Sequence, residues 1–300
     1  NIHLYTEMIV ANAIIRGDRN KLLSFKKISN PVTLQIGGSE PKELAESCKI
    51  AEDYGYKEIN LNLGCPSKKV QKNKFGACLM QEPYLVAKCI ETMSKSTKLP
   101  ISIKTRIGYN EIENFNFLKS FIQTAKDAGS QKFIIHARKA LLKKLTPKEN
   151  LNIPPLKYDF VYRLKDFFKN NEIIINGGIK TIESIKEHLK KVDGVMIGRA
   201  IYHSPFFLTE IEKKIFNNFE TPTRSEIMEN LIPYIQEETA KGTQLNHIMR
   251  HTIGLFHGQN GSKVWKQYLS KNMCIRNADL EKVNHIMDQV KKTKPVSLER

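Results

Sequence analysis

The amino-acid sequence predicts a (β/α)8 TIM barrel that lacks its first strand in this chain and is followed by a small C-terminal helical domain. Short apolar, β-branched runs alternate with helical patterns in the first two thirds of the chain. That alternation is typical of right-handed βαβ units. After about Pro222 the strand pattern stops and only helical patterns follow. We therefore expect a barrel domain at residues 1–221 and a helical domain at residues 222–300.

Most of the predicted strands are continuous apolar runs, which are typical of parallel strands buried on both faces. Seven strands are predicted, at residues 2–8, 32–36, 58–63, 101–106, 133–136, 173–176 and 195–197. The barrel helices are predicted at residues 41–53, 83–93, 114–128, 161–169, 182–189 and 205–216. The helical domain has further patterns at residues 226–240, 246–256, 262–271 and 280–292.

Polar residues and glycines at the strand ends favour the barrel over a doubly wound open sheet. They follow one strand after another, as in Gln35-Ile-Gly-Gly, Lys104-Thr-Arg and His136-Ala-Arg. Barrel enzymes build their active sites from the carboxyl ends of many strands, whereas an open sheet uses one switch point. A closed barrel needs eight strands. Because only seven are counted, we expect the first βα unit to lie upstream of Asn1.

The chain is strongly basic, with 48 Lys and Arg against 31 Asp and Glu and a net charge of +17. Clustered basic residues bind phosphates, which indicates a polyanionic partner; a genome rich in A and T is the alternative explanation of the charge. No apolar run approaches the ~18 residues of a membrane helix, so we expect no membrane partner. Five cysteines without a CxxC pair argue against a disulfide framework or a zinc site and favour a reducing compartment.

Two consecutive strands end in glycine-containing loops, Asn176-Gly177-Gly178 and Gly198-Arg199. In barrels, the loops after the last two strands often bind a phosphate through backbone N–H groups. Glycine allows the backbone to approach the phosphate closely, and an arginine clamps it with paired hydrogen bonds. Ordinary turn chemistry explains any single Gly-Gly. The recurrence on consecutive strands favours a phosphate site without naming the ligand.

Lys104 and His136 end the two strands that precede these loops. A lysine at the mouth of a barrel is costly unless it meets an anion, so we expect a negative ligand group beside Lys104. A lone histidine at a strand end usually has a structural role. The position of His136 beside Lys104 and the phosphate loops favours contact with a ligand.

Cys65 follows a strand directly, between a glycine that frees the turn and a proline that ends the strand. We therefore expect its thiol to point into the barrel mouth. A thiol is mostly protonated at neutral pH and can serve as a general acid. Cys78 is the competing candidate, but its apolar neighbours favour a packing role. Cys48 and Cys89 fall on apolar helix faces and are predicted to lie in the core.

Basic residues follow both candidate sites and recur in the helical domain. Those after Cys65 are Lys68, Lys69, Lys72 and Lys74, and those after His136 are Lys139, Lys143, Lys144 and Lys148. Residues 241–280 include six Lys and Arg and one acid, Asp279. Each run alone is typical of a solvated loop, but together they predict a polyanion-binding rim. The segment HIMRH places His247 and His251 on one helix face without the glutamate of a zincin motif, so we expect no metal.

Taken together, these stretches resemble the tRNA-dihydrouridine synthases, most closely the bacterial DusA-type subfamily. The likeness covers nearly the whole chain. Its motifs are LYTEM (4–8), LQIGGS (34–39), INLNLGCPS (59–67), FGACLM (75–80), KTRIG (104–108), FIIHARKA (133–140), LTPKEN (145–150), INGGI (175–179), GVMIGRA (194–200) and RHTIGLFHG (250–258). The family's first strand, which carries a Pro-Met flavin contact, has no counterpart here.

The resemblance implies roles for individual residues, with Cys65 as the proton donor and Asn62 at the uridine. The flavin contacts that it implies are Gln35, Lys104 and His136, and for the flavin phosphate Asn176, Gly177, Gly178, Gly198 and Arg199. The remaining tRNA-facing positions are Lys148, Arg250, Lys263 and Lys266.

The resemblance also implies FMN as cofactor and NADPH, with NADH as the alternative, as reductant of a uridine at position 20 or 20a of the tRNA D-loop. In this reaction hydride passes from the flavin to uracil C6 and Cys65 protonates C5. We expect a monomeric cytoplasmic enzyme with tRNA as partner; an organellar location stays open because the N-terminus is missing. The alternatives are an FMN barrel dehydrogenase for a small molecule such as dihydroorotate, against which the basic lobe argues, and a noncatalytic RNA-binding fragment.

Overall fold

The computed structural model describes residues 2–26, 30–142 and 145–272. The chain forms two compact units, Asn1–Met196 and Ile197–Arg300. The expected division at residues 221 and 222 stays a prediction. The predicted helix at residues 280–292 and the lysines Lys143 and Lys144 lie outside the described residues.

The first unit alternates strands with helices. Its strands are β1 Leu4–Tyr5, β2 Ile9–Val10, β3 Val32–Gly37, β4 Glu58–Leu63, β5 Ile101–Arg106, β6 Lys132–His136, β7 Glu172–Asn176 and β8 Gly194–Met196. Its helices are α1 Ala11–Arg16, α2 Arg19–Leu23, α3 Pro41–Glu52, α4 Lys68–Lys72, α5 Pro83–Ser96, α6 Phe115–Asp127, α7 Tyr158–Phe167 and α8 Ile182–Leu189, with 3-10 turns at Gly76–Gln81 and Glu149–Leu151.

All strands of the first unit are parallel and pair in the order β1-β3-β4-β5-β6-β7-β8. The predicted first strand at residues 2–8 forms two short segments, β1 and β2, and both pair with β3. Each strand therefore lies beside its neighbour in the sequence, without the reversal of order that defines a doubly wound sheet. This order confirms the predicted barrel class, with seven strand positions. Among the described residues, β1 does not pair with β8.

The helices that cover the sheet begin and pack as their sequences indicate. Pro41 and Pro83 occupy the first turns of α3 and α5, where a missing N–H costs nothing. The Asn114 side chain caps α6 by accepting from the Phe117 N–H. Both predicted core cysteines on these helices are fully buried, Cys48 on α3 and Cys89 on α5.

Three strands alternate polar and apolar residues, so the interpretation of them as continuous apolar runs is wrong. In β4, Glu58, Asn60 and Asn62 alternate with three fully buried apolar side chains. In register with Asn60 lie Gln35 on β3 and Ser102 on β5, so the polar side chains share one face. A strand buried on both faces can carry polar side chains on one of them only if each finds a partner.

Hydrogen bonds join these interior polar residues into a chain that crosses the sheet. Lys132 forms a 3.0 Å ion pair with Glu58, and the Ser102 hydroxyl donates to the same carboxylate. Asn60 Nδ2 donates to Ser102 Oγ at 2.8 Å and Asn60 Oδ1 accepts from Gln35 Nε2 at 2.9 Å. Their pairing offsets the cost of desolvation and holds each amide in one orientation. We call Lys132, Glu58, Ser102, Asn60 and Gln35 the interior chain.

The second unit consists of helices among its described residues. They are α9 Arg199–His203, α10 Phe207–Ile215, α11 Arg224–Ala240, α12 Leu245–Met249 and α13 Ser262–Asn272, with a 3-10 turn at Arg250–Thr252. A capping box of Thr223 and Glu226 starts α11. Its core surrounds the fully buried Trp265, whose indole N–H donates to the Thr252 carbonyl at 3.0 Å.

A helix is predicted at residues 246–256, but α12 ends at Met249 and a 3-10 turn follows it. The two histidines of HIMRH therefore do not share one α-helix, since His251 lies in the 3-10 turn. No group of three or more potential metal-ligating side chains occurs in the described ranges. Within the same residues no helix is long and apolar enough to cross a membrane.

Replacing Asn60 with alanine tests the interior chain. The variant leaves the Gln35 amide and the Ser102 hydroxyl without their buried partner, and we expect the free energy of unfolding to fall by about 2–4 kcal/mol. Urea unfolding followed by circular dichroism measures the loss. Asn170→Ala is the control, because Asn170 is exposed and its replacement should change stability by less than about 0.5 kcal/mol. Equal stability of the two variants would contradict the role of the interior chain.

Candidate active site

The carboxyl ends of the strands bring together the predicted residues of the first unit. Cross-strand register places Asn62 beside Lys104 and places His136 beside Asn176. The side chain of Asn62 continues the interior chain, because its Nδ2 donates to Gln35 Oε1 at 2.8 Å. The sheet thus collects Gln35, Asn62, Lys104, His136 and Asn176 at one end, where barrel enzymes place their chemistry.

The loop that carries Cys65 is held by the side chain of Asn62. Asn62 Oδ1 accepts from the N–H of Gly64 at 3.1 Å and from the N–H of Cys65 at 2.9 Å. The Cys65 carbonyl in turn accepts from the Ala77 N–H at 2.9 Å. Cys65 is partly exposed. The loop therefore presents a thiol that can reach a ligand while its backbone is fixed on both sides.

Gly76 allows the FGACLM segment to pack against the cysteine loop. Its φ of +74° suits glycine, and a Cβ at this position would lie 2.7 Å from the Cys65 carbonyl oxygen. A larger residue would therefore displace the loop that carries the thiol.

Cys78 has the environment of a packing residue. Its thiol donates to the Phe75 carbonyl at 3.0 Å, and its side chain packs against a small cluster formed by Ala77, Ala140 and Leu142. Burial raises the pKa of the Cys78 thiol above its ordinary value. These contacts favour Cys65 over Cys78 as the chemically active thiol.

Lys104 forms no ion pair with any residue of the described ranges, and its side chain is largely enclosed. Burial, and then the positive charge of Arg106, lower the pKa of the Lys104 ammonium to about 8. An ammonium in this state is stabilised by any anion that enters the site. Lys104 therefore has the electrostatics of an anion-binding residue, as the sequence predicts.

Arg106 is a functional candidate that the sequence reasoning missed. Its side chain is 3% exposed, and burial lowers its pKa to about 10. Arg106 Nε donates to the Gly64 carbonyl at 2.9 Å, and Nη1 donates to the carbonyls of Lys139 at 3.0 Å and Asn150 at 3.1 Å. The guanidinium thus joins the cysteine loop to the loop that follows β6. The only sequence signal was its position two residues after Lys104, on the same face of β5.

Two amide side chains complete the anchoring of the loop after β6. Asn150 is fully buried, and its Nδ2 lies within 3.2 Å of the carbonyls of Leu141, Leu145 and Thr146. Gln71 Nε2 donates to the carbonyl of Pro66, beside Cys65, and to that of Leu142, each at 2.8 Å. Asn150 lies in the LTPKEN motif and Gln71 on α4. The sequence does not reveal their contacts, because every acceptor is a backbone carbonyl and any residue type supplies one.

The predicted phosphate loop after β7 requires its glycines. Gly177 has a φ of +117° and Gly178 a φ of +73°, and both values favour glycine. A Cβ on Gly177 would lie 2.8 Å from the His136 ring, so the histidine packs directly against this loop. Asn176 Nδ2 donates to the Met196 carbonyl at 2.8 Å, and the Gly177 carbonyl accepts from the Tyr158 hydroxyl at 2.7 Å.

The other predicted phosphate residues, Gly198 and Arg199, belong to the second unit, where Gly198 caps α9. Both are exposed. No protein atom lies within 4 Å of the position that a Cβ of Gly198 would occupy, so packing within the protein does not explain a glycine there. Their role stays a prediction.

The predicted tRNA-facing cations of this chain are accessible. Lys148 in the first unit and Arg250 and Lys263 in the second are exposed, and Lys266 is partly exposed. The lysines that follow Cys65 are also exposed: Lys68, Lys69, Lys72 and Lys74. Lys139 differs, because it forms a 3.3 Å ion pair with the largely buried Glu113 and adds little to a free basic rim.

The fold and the site are those of a barrel enzyme, with a partly exposed thiol and an enclosed lysine at the carboxyl ends of its strands. The family is shown by comparison: residues 1–291 match the family model for dihydrouridine synthase (Dus). The chain belongs to this family, which consists of flavin-dependent enzymes.

Curated relatives agree with this assignment over most of their length. A protein of Synechocystis sp. named tRNA-dihydrouridine(20/20a) synthase is 46% identical over 279 residues, which cover 93% of this chain and 84% of the relative. Proteins of the same name from Vibrio cholerae and Haemophilus ducreyi are 46% and 47% identical, each over 88% of its own length.

Replacing Arg106 with lysine tests the connection between the two loops. Lysine keeps the charge but cannot reach all three carbonyl groups, so we expect the free energy of unfolding to fall by about 2 kcal/mol. Native-state hydrogen exchange should also become faster at the Gly64–Cys65 peptide and in the loop after β6. The exposed Arg16→Lys serves as the control and should leave both measurements unchanged. Normal protection of these loops in Arg106→Lys would refute the connection.

Proposed function

We propose that this protein reduces uridine to 5,6-dihydrouridine in the D-loop of tRNA, at position 20 or 20a, with FMN as cofactor and NADPH as reductant. The observation that carries the proposal is the partly exposed Cys65 on a fixed loop, together with the enclosed Lys104 on the neighbouring strand. The family match and the names of the relatives support the same reaction. The monomeric state and the cytoplasmic location stay predictions.

The residues of the first unit fit a flavin mononucleotide. Lys104 supplies a cation that pairs with no acidic side chain among the described residues, which suits the pyrimidine edge of a flavin that becomes negative on reduction. Gly177 and Gly178 form a loop with backbone angles that favour glycine, and Gly178 is exposed, which suits a phosphate. Gln35 has both ends of its amide oriented by the interior chain, so its remaining hydrogen-bonding capacity points in a fixed direction. We propose that these residues, with His136 and Asn176, hold the cofactor.

When it is bound and reduced by NADPH, FMN supplies the hydride that adds to uracil C6. Cys65 donates its thiol proton to C5, so that one hydride and one proton add across the C5–C6 bond. The resulting thiolate regains a proton from water, which its partial exposure allows. Asn62 keeps the thiol in position by accepting from two backbone N–H groups of the loop. Lys104 stabilises negative charge near the reacting ring.

Basic side chains of each unit supply the contacts to tRNA in this proposal. The target uridine must leave its stack before it can reach a barrel mouth, and this costs less in a loop than in a duplex. Exposed lysines on α4 and at Lys148, together with Arg250, Lys263 and Lys266, meet the phosphate backbone in this proposal. Arg106 connects the cysteine loop to the loop of Lys148, so chemistry and RNA contact share one rigid support.

Substitution of the two candidate thiols tests the assignment of the proton donor. We expect Cys65→Ala to keep its flavin and its NADPH oxidation but to lose dihydrouridine formation by about 100-fold or more, since general acids contribute roughly 10²–10⁴-fold. Cys78→Ala should remain active because its thiol is engaged in packing. Dihydrouridine is mapped in tRNA from cells that lack the gene and carry each variant. The reverse pattern would overturn the assignment, and a colourless protein that takes up no FMN would overturn the proposed function.

The pKa of Lys104 predicts how FMN affinity depends on pH. The pyrimidine edge of the flavin carries hydrogen-bond acceptors and becomes negative on reduction, so it favours the protonated ammonium of Lys104, whose pKa in the free protein is lowered to about 8. Affinity should therefore be highest below this value and fall with rising pH, by up to about tenfold per pH unit. Fluorescence titration of the apoprotein with FMN measures this dependence. Lys104→Met should bind FMN more weakly and lose the dependence, whereas the exposed control Lys95→Met should keep it. The same slope in Lys104→Met would contradict the contact.

A further inference from the structure

The second unit presents a cluster of exposed rings beside Arg250, and the proposed function assigns no role to these rings. Tyr202 and His203 end α9, and Arg250 and His251 lie in the 3-10 turn after α12. The Tyr202 ring is 59% exposed and lies edge-on to the rings of His203 and His251, with centroids 6.1 Å and 6.0 Å away. Arg250 Nε donates to His251 Nε2 at 3.2 Å. We call these four residues the Tyr202 cluster.

The fold builds this cluster from segments that are distant in the sequence. Gly254 packs against the end of α9, where a Cβ would lie 2.1 Å from the His203 carbonyl oxygen. The 3-10 turn Arg250–Thr252 is held by two hydrogen bonds of Thr252. Its carbonyl accepts from the indole N–H of the buried Trp265, and its hydroxyl donates to the Met249 carbonyl. The rings are thus held in place by the core of the unit, although they face solvent.

The charge of the second unit favours an anionic ligand. Residues 241–272 contain five Lys and Arg and no acid; Lys241 is paired with Glu237 and Glu238, whereas Arg250 belongs to the cluster itself. An exposed aromatic ring flanked by imidazoles and a guanidinium is suited to a nucleotide, because the base stacks on the ring and the phosphate accepts from the arginine. A protein partner or a membrane would require a wider apolar surface than one tyrosine provides.

We propose that the Tyr202 cluster is a stacking site for an unpaired nucleotide of tRNA, with the base on Tyr202 and the neighbouring phosphate on Arg250. The inference rests on the proposed function, since it takes tRNA as the substrate. It adds a sequence-tolerant anchor in the helical unit, apart from the uridine that reacts. Such an anchor increases affinity for tRNA without taking part in the chemistry.

Affinity for an unmodified tRNA transcript, measured by fluorescence anisotropy on the FMN-loaded full-length protein, tests the stacking site. We expect Tyr202→Ala to weaken binding by roughly fivefold to tenfold and Tyr202→Phe, which keeps the ring, to stay within about twofold of wild type. Tyr84→Ala is the matched control, because Tyr84 is 86% exposed on α5 of the first unit. It should bind tRNA like the wild type. Equal affinity of Tyr202→Ala and wild type, or equal losses in the Ala and Phe variants, would overturn the proposal.

Arg250→Gln gives an independent test that does not depend on the folding of a tyrosine variant. If Arg250 binds a phosphate, this substitution should reduce the slope of log affinity against log salt concentration by about 1. In steady-state assays, Tyr202→Ala should raise the KM for tRNA rather than the KM for NADPH. A rise confined to the KM for NADPH would assign the cluster to the dinucleotide and overturn the RNA site. If wild type binds tRNA but forms no dihydrouridine, the proposed function fails while the affinity comparison still tests the cluster.

Discussion

The pairing of polar side chains inside the first unit is the constraint on which the active site depends. Barrel interiors are usually filled with branched apolar residues. Here Glu58, Asn60 and Gln35 occupy that face, and each would be costly to bury alone. They are tolerated because the interior chain begins at an ion pair with Lys132 and satisfies each group in turn. At the far end of the interior chain, the hydrogen bond to Gln35 orients the Asn62 amide, and Asn62 Oδ1 in turn holds the backbone of the cysteine loop.

A second set of contacts joins the loops above the strands. Arg106, Asn150 and Gln71 donate mainly to backbone carbonyls, so they fix the paths of loops rather than the positions of single side chains. The buried guanidinium is held by three such acceptors without an ion-pair partner among them. Burial lowers the pKa of Lys104 most and the positive charge of Arg106 lowers it further, and two cationic groups so arranged favour an anionic ligand. One residue therefore supports both the geometry of the thiol and the electrostatics of ligand binding.

The residues found from the sequence are those whose roles follow from their position along the chain. Lys104 lies near the carboxyl end of β5, His136 ends β6 and Gly177 follows β7. Because parallel strands present their carboxyl ends together, the meeting of these residues was predictable. The contacts of Arg106 and Gln71 were not predictable, because their acceptors lie in loops whose paths the sequence pattern does not show. The alternation of polar and apolar residues in β4 was visible in EINLNL. It was not interpreted as a polar interior face, because parallel strands are usually apolar on both faces.

The sequence by itself determined the fold class, the order of the strands and the residues at their carboxyl ends, because hydrophobic periodicity and glycine punctuation are local properties. Tertiary structure alone decided which side chains became partners. Cross-strand register aligned Gln35 with Asn60, and packing within the second unit placed Gly254 against the His203 carbonyl and the His251 ring against Tyr202. Those pairings depend on close packing between segments tens of residues apart, and no local pattern carries that information.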